Sequence, residues 1–370
     1  MGDARSERSN APADGPDGGQ PVDCRRIPIE GRAARMRSDI AVPLILACAL
    51  LGEDASADAR PFYLRNQNPF LQVLGVPAAE GARLVSAGRL ESRLAITLVN
   101  HADSAEAGDE AVVLDGESWY VDTRFRYGLT DRWEIGIDLP YVAHDRGNLD
   151  HLIEGWHDLF GLSNGNREGP SNRLRLSYRS GDTTLIDLQD ASSGLGDVRL
   201  TAALLLFDWD DSGTALALRG SVELPTGDES KLRGNDGADW ALGLEAERHR
   251  QLGERDLALQ AQIGALRPGD WTPLESRQKE LVPYGMLGAA WQWRPRWRLR
   301  AQLGYQGSYL DSRLDELGGS TASLTFGGSV SFPRIGLELD VALIEDLVSD
   351  TTPDFGLYLA LRRDAAMPAR

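Results

Sequence analysis

The 370-residue chain carries 56 acidic against 39 basic side chains, for a net charge of -17 and an isoelectric point near 4.8, a balance that argues against nucleic acid, which favours basic faces. Mean hydropathy is -0.32 and no apolar run approaches about 20 residues, which excludes helical membrane spans. It does not exclude a membrane β-barrel, whose strands alternate and average to a polar value, and the length suits one large barrel as well as two ordinary domains.

Residues 1–35 are rich in Gly, Pro, Asp and Arg without an apolar period, and read as an unstructured extension or a misassigned start. From Met36 the layout changes to a basic start, an apolar run Ile40 to Leu51 and small residues before Arg60. That is the order of a secretory signal peptide over 36–59, so export is expected. Both cysteines, Cys24 and Cys48, precede Arg60, so the mature chain would hold no thiol. Residues 60–89, with Arg65-Asn66-Gln67-Asn68-Pro69, lack alternation; they read either as a periplasmic lead-in, the preferred placement, or as a segment tucked into a lumen.

From Leu90 the alternation is nearly continuous. It is clearest at 119–141, where Trp119, Val121, Phe125, Tyr127, Trp133, Ile135, Ile137, Leu139 and Tyr141 share one face. The other face carries Asp122, Arg124, Arg126, Glu134 and Asp138. Period two with one apolar and one charged face is a β-hairpin signature, and aromatics at both ends of each apolar stretch fit the two interfaces of a membrane. The pattern recurs through Leu357 to Leu361, with Arg199, Arg219 and Glu223 on charged faces. It blurs at 282–294, where Tyr284 and Met286 take one parity and Trp291 and Trp293 the other, so a bulge is expected. The fold class expected is all-β: a transmembrane antiparallel up-and-down barrel of about 12 strands, or 14 if the runs 173–179 and 184–190 join the wall. Short connections at 129–132, 208–213, 249–255, 294–296 and 333–334 alternate with long ones at 101–118, 144–172, 225–237, 267–281, 308–320 and 346–353, which places the barrel over 90–370 with the long loops outside the cell.

Arg65 to Pro69, Asp115-Gly116-Glu117, the strand Arg132 to Tyr141, Ile153 to Asp158 with Phe160-Gly161-Leu162, and Leu224-Pro225-Thr226-Gly227-Asp228 together resemble the bacterial family called domain of unknown function 3187. The resemblance implies an outer-membrane barrel from about residue 61 onward and brings no activity, cofactor or functional residue.

Two groups of candidate site residues follow. Asp122, Arg124, Arg126, Glu134, Asp138, Arg199, Arg219 and Glu223 form a charged lumen that either selects among permeants or fills a closed barrel with salt bridges. His144, Asp150, His151, Glu154, His157 and Asp158 cluster in the large loop, but His151 and His157 are six apart and match no zinc pattern, so the loop is expected to fold over the mouth and no metal is assigned. The leading expectation is a pore or small-solute barrel. A structural or surface-interaction barrel with closed lumen is the alternative, and a membrane-embedded hydrolase using Ser163 or His157 comes third, so no enzyme is assigned. Expected partners are outer-membrane lipid, the barrel-assembly machinery and a small solute, with no nucleic acid and no cofactor.

Overall fold

Alternating side chains commit most of the chain to strands that need a wet or charged face on one side and an apolar medium on the other. In the computed structural model, which describes residues 59–146, 173–209, 212–348 and 355–366, these strands are β1 (Arg89–Ala107), β2 (Glu110–Thr130), β3 (Trp133–Asp145), β4 (Arg175–Ser180), β5 (Thr183–Leu188), β6 (Ser192–Leu195), β7 (Val198–Trp209), β8 (Thr214–Leu224), β9 (Asp239–Leu252), β10 (Arg255–Arg267), β11 (Val282–Arg294), β12 (Trp297–Gln306), β13 (Thr321–Phe332), β14 (Leu337–Asp346) and β15 (Phe355–Ala366). Each wall strand pairs antiparallel with its neighbour, and β1 pairs with β15 from Arg89↔Ala366 to Val99↔Gly356, so the sheet closes. The wall has 12 strands; β4, β5 and β6 stand outside the closed ring.

The β4–β5 hairpin pairs with the outer part of β2, Glu110 to Asp115, and β6 with the end of β3. The hairpin therefore extends the wall above the membrane and does not raise the strand number to 14. The expected loop at 101–118 is instead strand: β1 and β2 remain paired up to Ala107↔Glu110 and turn at Gly108-Asp109. The loop expected from residue 144 likewise starts later, because His144 and Asp145 still belong to β3.

Parity sorts the side chains as the alternation requires. Trp133, Leu200, Leu242, Leu259, Ile263, Leu299 and Val341 face outward and are exposed on the isolated chain. Trp133, Phe207, Trp209, Trp291, Trp293 and Trp297 gather at the short-turn end, and Trp240 and Tyr305 at the other. In water such a surface would cost on the order of 25 cal/mol per Å² of apolar area. A lipid bilayer removes that cost, and aromatics at two levels mark its interfaces. The irregularity expected within 282–294 lies at its end: β11 pairs with β10 without a shift from Val282 to Trp291, and the register slips between Gln292 and Arg294 against β12. Tyr284 and Met286 are simply apolar residues on the inner face, where the N-terminal segment packs against them.

Candidate functional site

The inner face of the wall is built from charge. Asp122, Arg124, Arg126, Glu134, Asp138, Arg199, Arg219 and Glu223 all point inward and are buried. Cross-strand register lines several of them into one row running Glu338, Arg362, Arg93, Arg124, Asp138, Arg199, Glu223, Asp239, each the direct partner of the next across β14, β15, β1, β2, β3, β7, β8 and β9. The cations of this row are all arginine. Both lysines, Lys231 and Lys279, lie outside the strands. Arginine's rigid fork of donors matches a carboxylate two bonds at a time, which a lysine cannot do.

The residues that bury this face are those of the N-terminal segment. Ala59 sits with Ala258 and Ala290 at the short-turn end. The Phe62 backbone N–H donates to Gln302 Oε1 at 2.9 Å and the Tyr63 N–H to the Tyr358 hydroxyl at 3.2 Å, while Asn66 Nδ2 donates to Gln306 Oε1 at 2.7 Å. Phe70, Leu71 and Leu74 then join a buried apolar cluster at the long-loop end with Leu232, Trp271, Leu274, Leu310, Leu314 and Leu317. The chain reverses at Gly75, whose φ of 64° suits a residue without Cβ. The descending limb passes Glu80 and reaches Val85, whose N–H donates to Glu134 Oε2 at 2.8 Å, before β1 begins. Arg60 Nη1 donates to the Arg83 carbonyl, which ties the two limbs together. Residues 59–86 therefore run up and down the inside of the wall.

Ion pairs join segment and wall. Arg65 Nη2 lies 2.6 Å from Glu223 Oε1 and its Nη1 3.9 Å from Asp122. Arg60 Nε lies 3.1 Å from Glu91 Oε2. Glu80 accepts from Arg124 Nη1 at 2.7 Å and from Arg126 Nη2 at 2.7 Å and Nε at 3.2 Å. Wall-to-wall pairs add to these, among them Arg126 to Asp138 at 2.5 Å, Arg199 to Glu223 at 2.5 Å, and Arg219 to Glu134 at 2.7 Å and Glu245 at 2.9 Å. Gly136, the direct partner of Arg126, leaves the space that this guanidinium fills, since a Cβ there would lie 2.5 Å from Arg126 Cδ. Between segment and wall remain cavities of about 40 Å³, beside Tyr284 and Met286, and about 10 Å³, beside Glu80 and Arg126. These are of the order of one or two water molecules.

Of the loop cluster, Asp150, His151, Glu154, His157 and Asp158 lie outside the described residues, as does Ser163. His144 is described, and its partners are not those expected. Its Nε2 lies 3.1 Å from the Leu232 carbonyl, which fixes a proton there, so the Ser118 hydroxyl, 2.8 Å away, donates to its Nδ1. His101 Nε2 in turn donates to Ser118 Oγ at 2.9 Å. This serine between two histidines resembles a nucleophile with its base, yet all three side chains are buried and the chain of bonds ends on a backbone carbonyl rather than a carboxylate. It pins β1, β2 and β3 to the loop carrying Leu232. Sequence reading missed it; the signal was inward parity at His101, Ser118 and His144. Among the described residues no group of three or more His, Cys, Asp or Glu could hold a metal ion.

A closed antiparallel barrel with a charged inner face, an apolar outer face and two aromatic belts is an outer-membrane β-barrel protein. The sequence matches the family described as protein of unknown function (DUF3187) over residues 40–364, and the chain belongs to that family. Among solved structures it is similar to the COG4313 outer membrane channel from Pseudomonas putida F1, at 19% identity with a TM-score of 0.50, over 76% of this chain and 97% of that one. It also resembles the NanC porin, at 7% identity and a TM-score of 0.40 over 75% and 100% of the two chains. The outer membrane channel DcaP of Acinetobacter baumannii follows at 10% identity and a TM-score of 0.31, over 75% and 97%. These likenesses are likenesses of fold. No curated protein matches the sequence.

Proposed function

We propose that this barrel is a gated outer-membrane channel for small polar solutes, closed in the conformation described by its own residues 59–86. The observation that carries the reading is the chemistry of the contact between segment and wall. That contact includes ion pairs and hydrogen bonds along its length, such as Arg65 with Glu223, Glu80 with Arg124 and Asn66 with Gln306, beside apolar packing of Phe62 and Tyr63 with Ile344 and Ala360 and of Ala82 with Ala215 and Ala217. Burying charges costs nearly as much as pairing them returns, so a paired polar interface is held only loosely against its hydrated state. When the segment withdraws, water can solvate both faces. A barrel filled for structural purposes alone gains more from an apolar filling, which loses stability outright on wetting.

Apolar packing of the segment favours the closed, structural reading, above all the cluster that holds Phe70, Leu71 and Leu74 beneath the long loops. In a channel the same cluster is the latch that keeps the resting state shut. Planar-bilayer conductance separates the two. The chain from Arg60 should show rare openings, and a variant lacking 60–86 should show large, steady conductance once heat-modifiable migration confirms its folding. A folded, inserted and silent deletion variant would sink the channel reading.

A further inference from the structure

Three arginines stand in direct register inside the barrel: Arg362 on β15, Arg93 on β1 and Arg124 on β2. Like charges directly opposite repel, and burial sharpens the repulsion, so such a row persists only where anions are provided. The wall supplies Glu91 and Glu338 together with Asp340, which pairs with Arg300 at 2.8 Å and also acts on Arg93 and Arg362. Glu91 lies 2.5 Å from Arg124 and 3.5 Å from Arg362, and Glu338 lies 3.0 Å from Arg362. Arg93 is 1% exposed and donates through Nη1 to the Pro61 carbonyl at 3.0 Å, while its Nε and Nη2 have no hydrogen-bond partner among the described residues. A further anion comes from the inserted segment. Glu80 is the one acid in residues 60–86, and its carboxylate takes three hydrogen bonds from the two forks of Arg124 and Arg126. That is how arginines hold the carboxylate of a ligand.

We propose that Arg93, Arg124 and Arg126 form a binding site for the carboxylate of a small organic acid, occupied at rest by Glu80, and that an incoming carboxylate displaces Glu80 and frees the segment. The inference rests on the channel reading and names its substrate class. The unsatisfied donors of Arg93 give a free carboxylate a partner as the segment loosens, and the small cavity beside Glu80 is lined by Arg126. Displacement of Glu80 and opening are then one event, because Glu80 is the acidic anchor of the descending limb.

The test is equilibrium titration of the detergent-folded chain from Arg60 with benzoate, with inorganic phosphate and choline as comparisons. Glu80→Gln removes the competing carboxylate and should tighten benzoate binding by tenfold or more, and adding Arg124→Gln should abolish it. Benzoate binding unchanged by Glu80→Gln, or phosphate bound and benzoate not, would overturn the proposal. Should Glu80→Gln not fold, the wild-type sequence with a single reporter, Ala82→Cys, replaces it: saturable acceleration of thiol labelling by benzoate and none by choline supports displacement, and no acceleration refutes it. Binding is read without any current. A deletion variant that conducts while the full chain ignores benzoate would leave the channel standing and remove only the carboxylate.

Discussion

Truncating the apolar tip of the inserted segment should loosen it without harming the barrel. Phe70 is fully buried with Leu232, Trp271 and Leu310 at the long-loop end and belongs to no strand. Removing a buried phenylalanine side chain costs about 3–5 kcal/mol, and every 1.4 kcal/mol is tenfold, so Phe70→Ala should raise the fraction of time the segment is out by roughly 100- to 1,000-fold or more. The chain has no cysteine after Cys48, which makes a single introduced thiol a clean reporter. Ala82, fully buried with Ala215 and Ala217, is a suitable place. In the Ala82→Cys background a charged thiol reagent should label slowly, and Phe70→Ala should accelerate labelling by the factor above while heat-modifiable migration stays unchanged. Equal labelling rates in the two proteins would refute the idea that this cluster holds the segment in place.

Arg65→Ala leaves Asp122 and part of Glu223 without their guanidinium; breaking a buried pair by removing one partner costs about 3–5 kcal/mol, and labelling at Ala82→Cys should rise comparably. Leu259→Arg, on the outer face of β10, should weaken folding into lipid vesicles by about 2–4 kcal/mol in denaturant titrations, whereas a change of under about 0.5 kcal/mol would mean that this face does not meet lipid. Asp197, between β6 and β7, accepts from the backbone N–H groups of Thr226, Gly227 and Asn235, and burial pushes its carboxyl up to about 6. A raised carboxyl favours the folded loop below its unfolded value of 3.8, and the advantage is lost as pH rises through about 6. Amide exchange at Thr226 and Gly227, corrected for intrinsic rate, should therefore report a more open loop at pH 7 than at pH 5, and the difference should vanish in Asp197→Asn.

The wall was legible in the sequence because a strand between lipid and a charged interior must alternate, and Trp119 to Tyr141 shows both faces and both interfaces in one hairpin. The inward position of Arg124, Arg126, Asp138, Arg199 and Glu223 followed from the same parity. Their pairing did not, because partners across strands depend on register, which periodicity leaves open. The segment 59–86 gave no periodic signal for a physical reason: its backbone groups are satisfied by wall side chains such as Gln302, Tyr358 and Arg93, so neither helix nor ladder is needed. Tyr284 and Met286 misled for a related reason, since apolar residues on a lumenal face look like a change of register unless something apolar fills the lumen beside them. The hairpin above the membrane was also hidden. Residues 101–118 carry short alternations that read as a loop until β4 is seen to pair with them.

A reversible lock on the inserted segment tests gating by residues 59–86 most directly. Ala82 and Ala217 share one buried cluster, so Ala82→Cys with Ala217→Cys places the only two thiols of the chain from Arg60 on segment and wall. Single-channel recordings of the oxidised protein should be silent, and openings should appear on reduction and disappear on reoxidation. Identical openings in the oxidised and reduced states, with the disulfide verified by mass, would contradict gating by this segment.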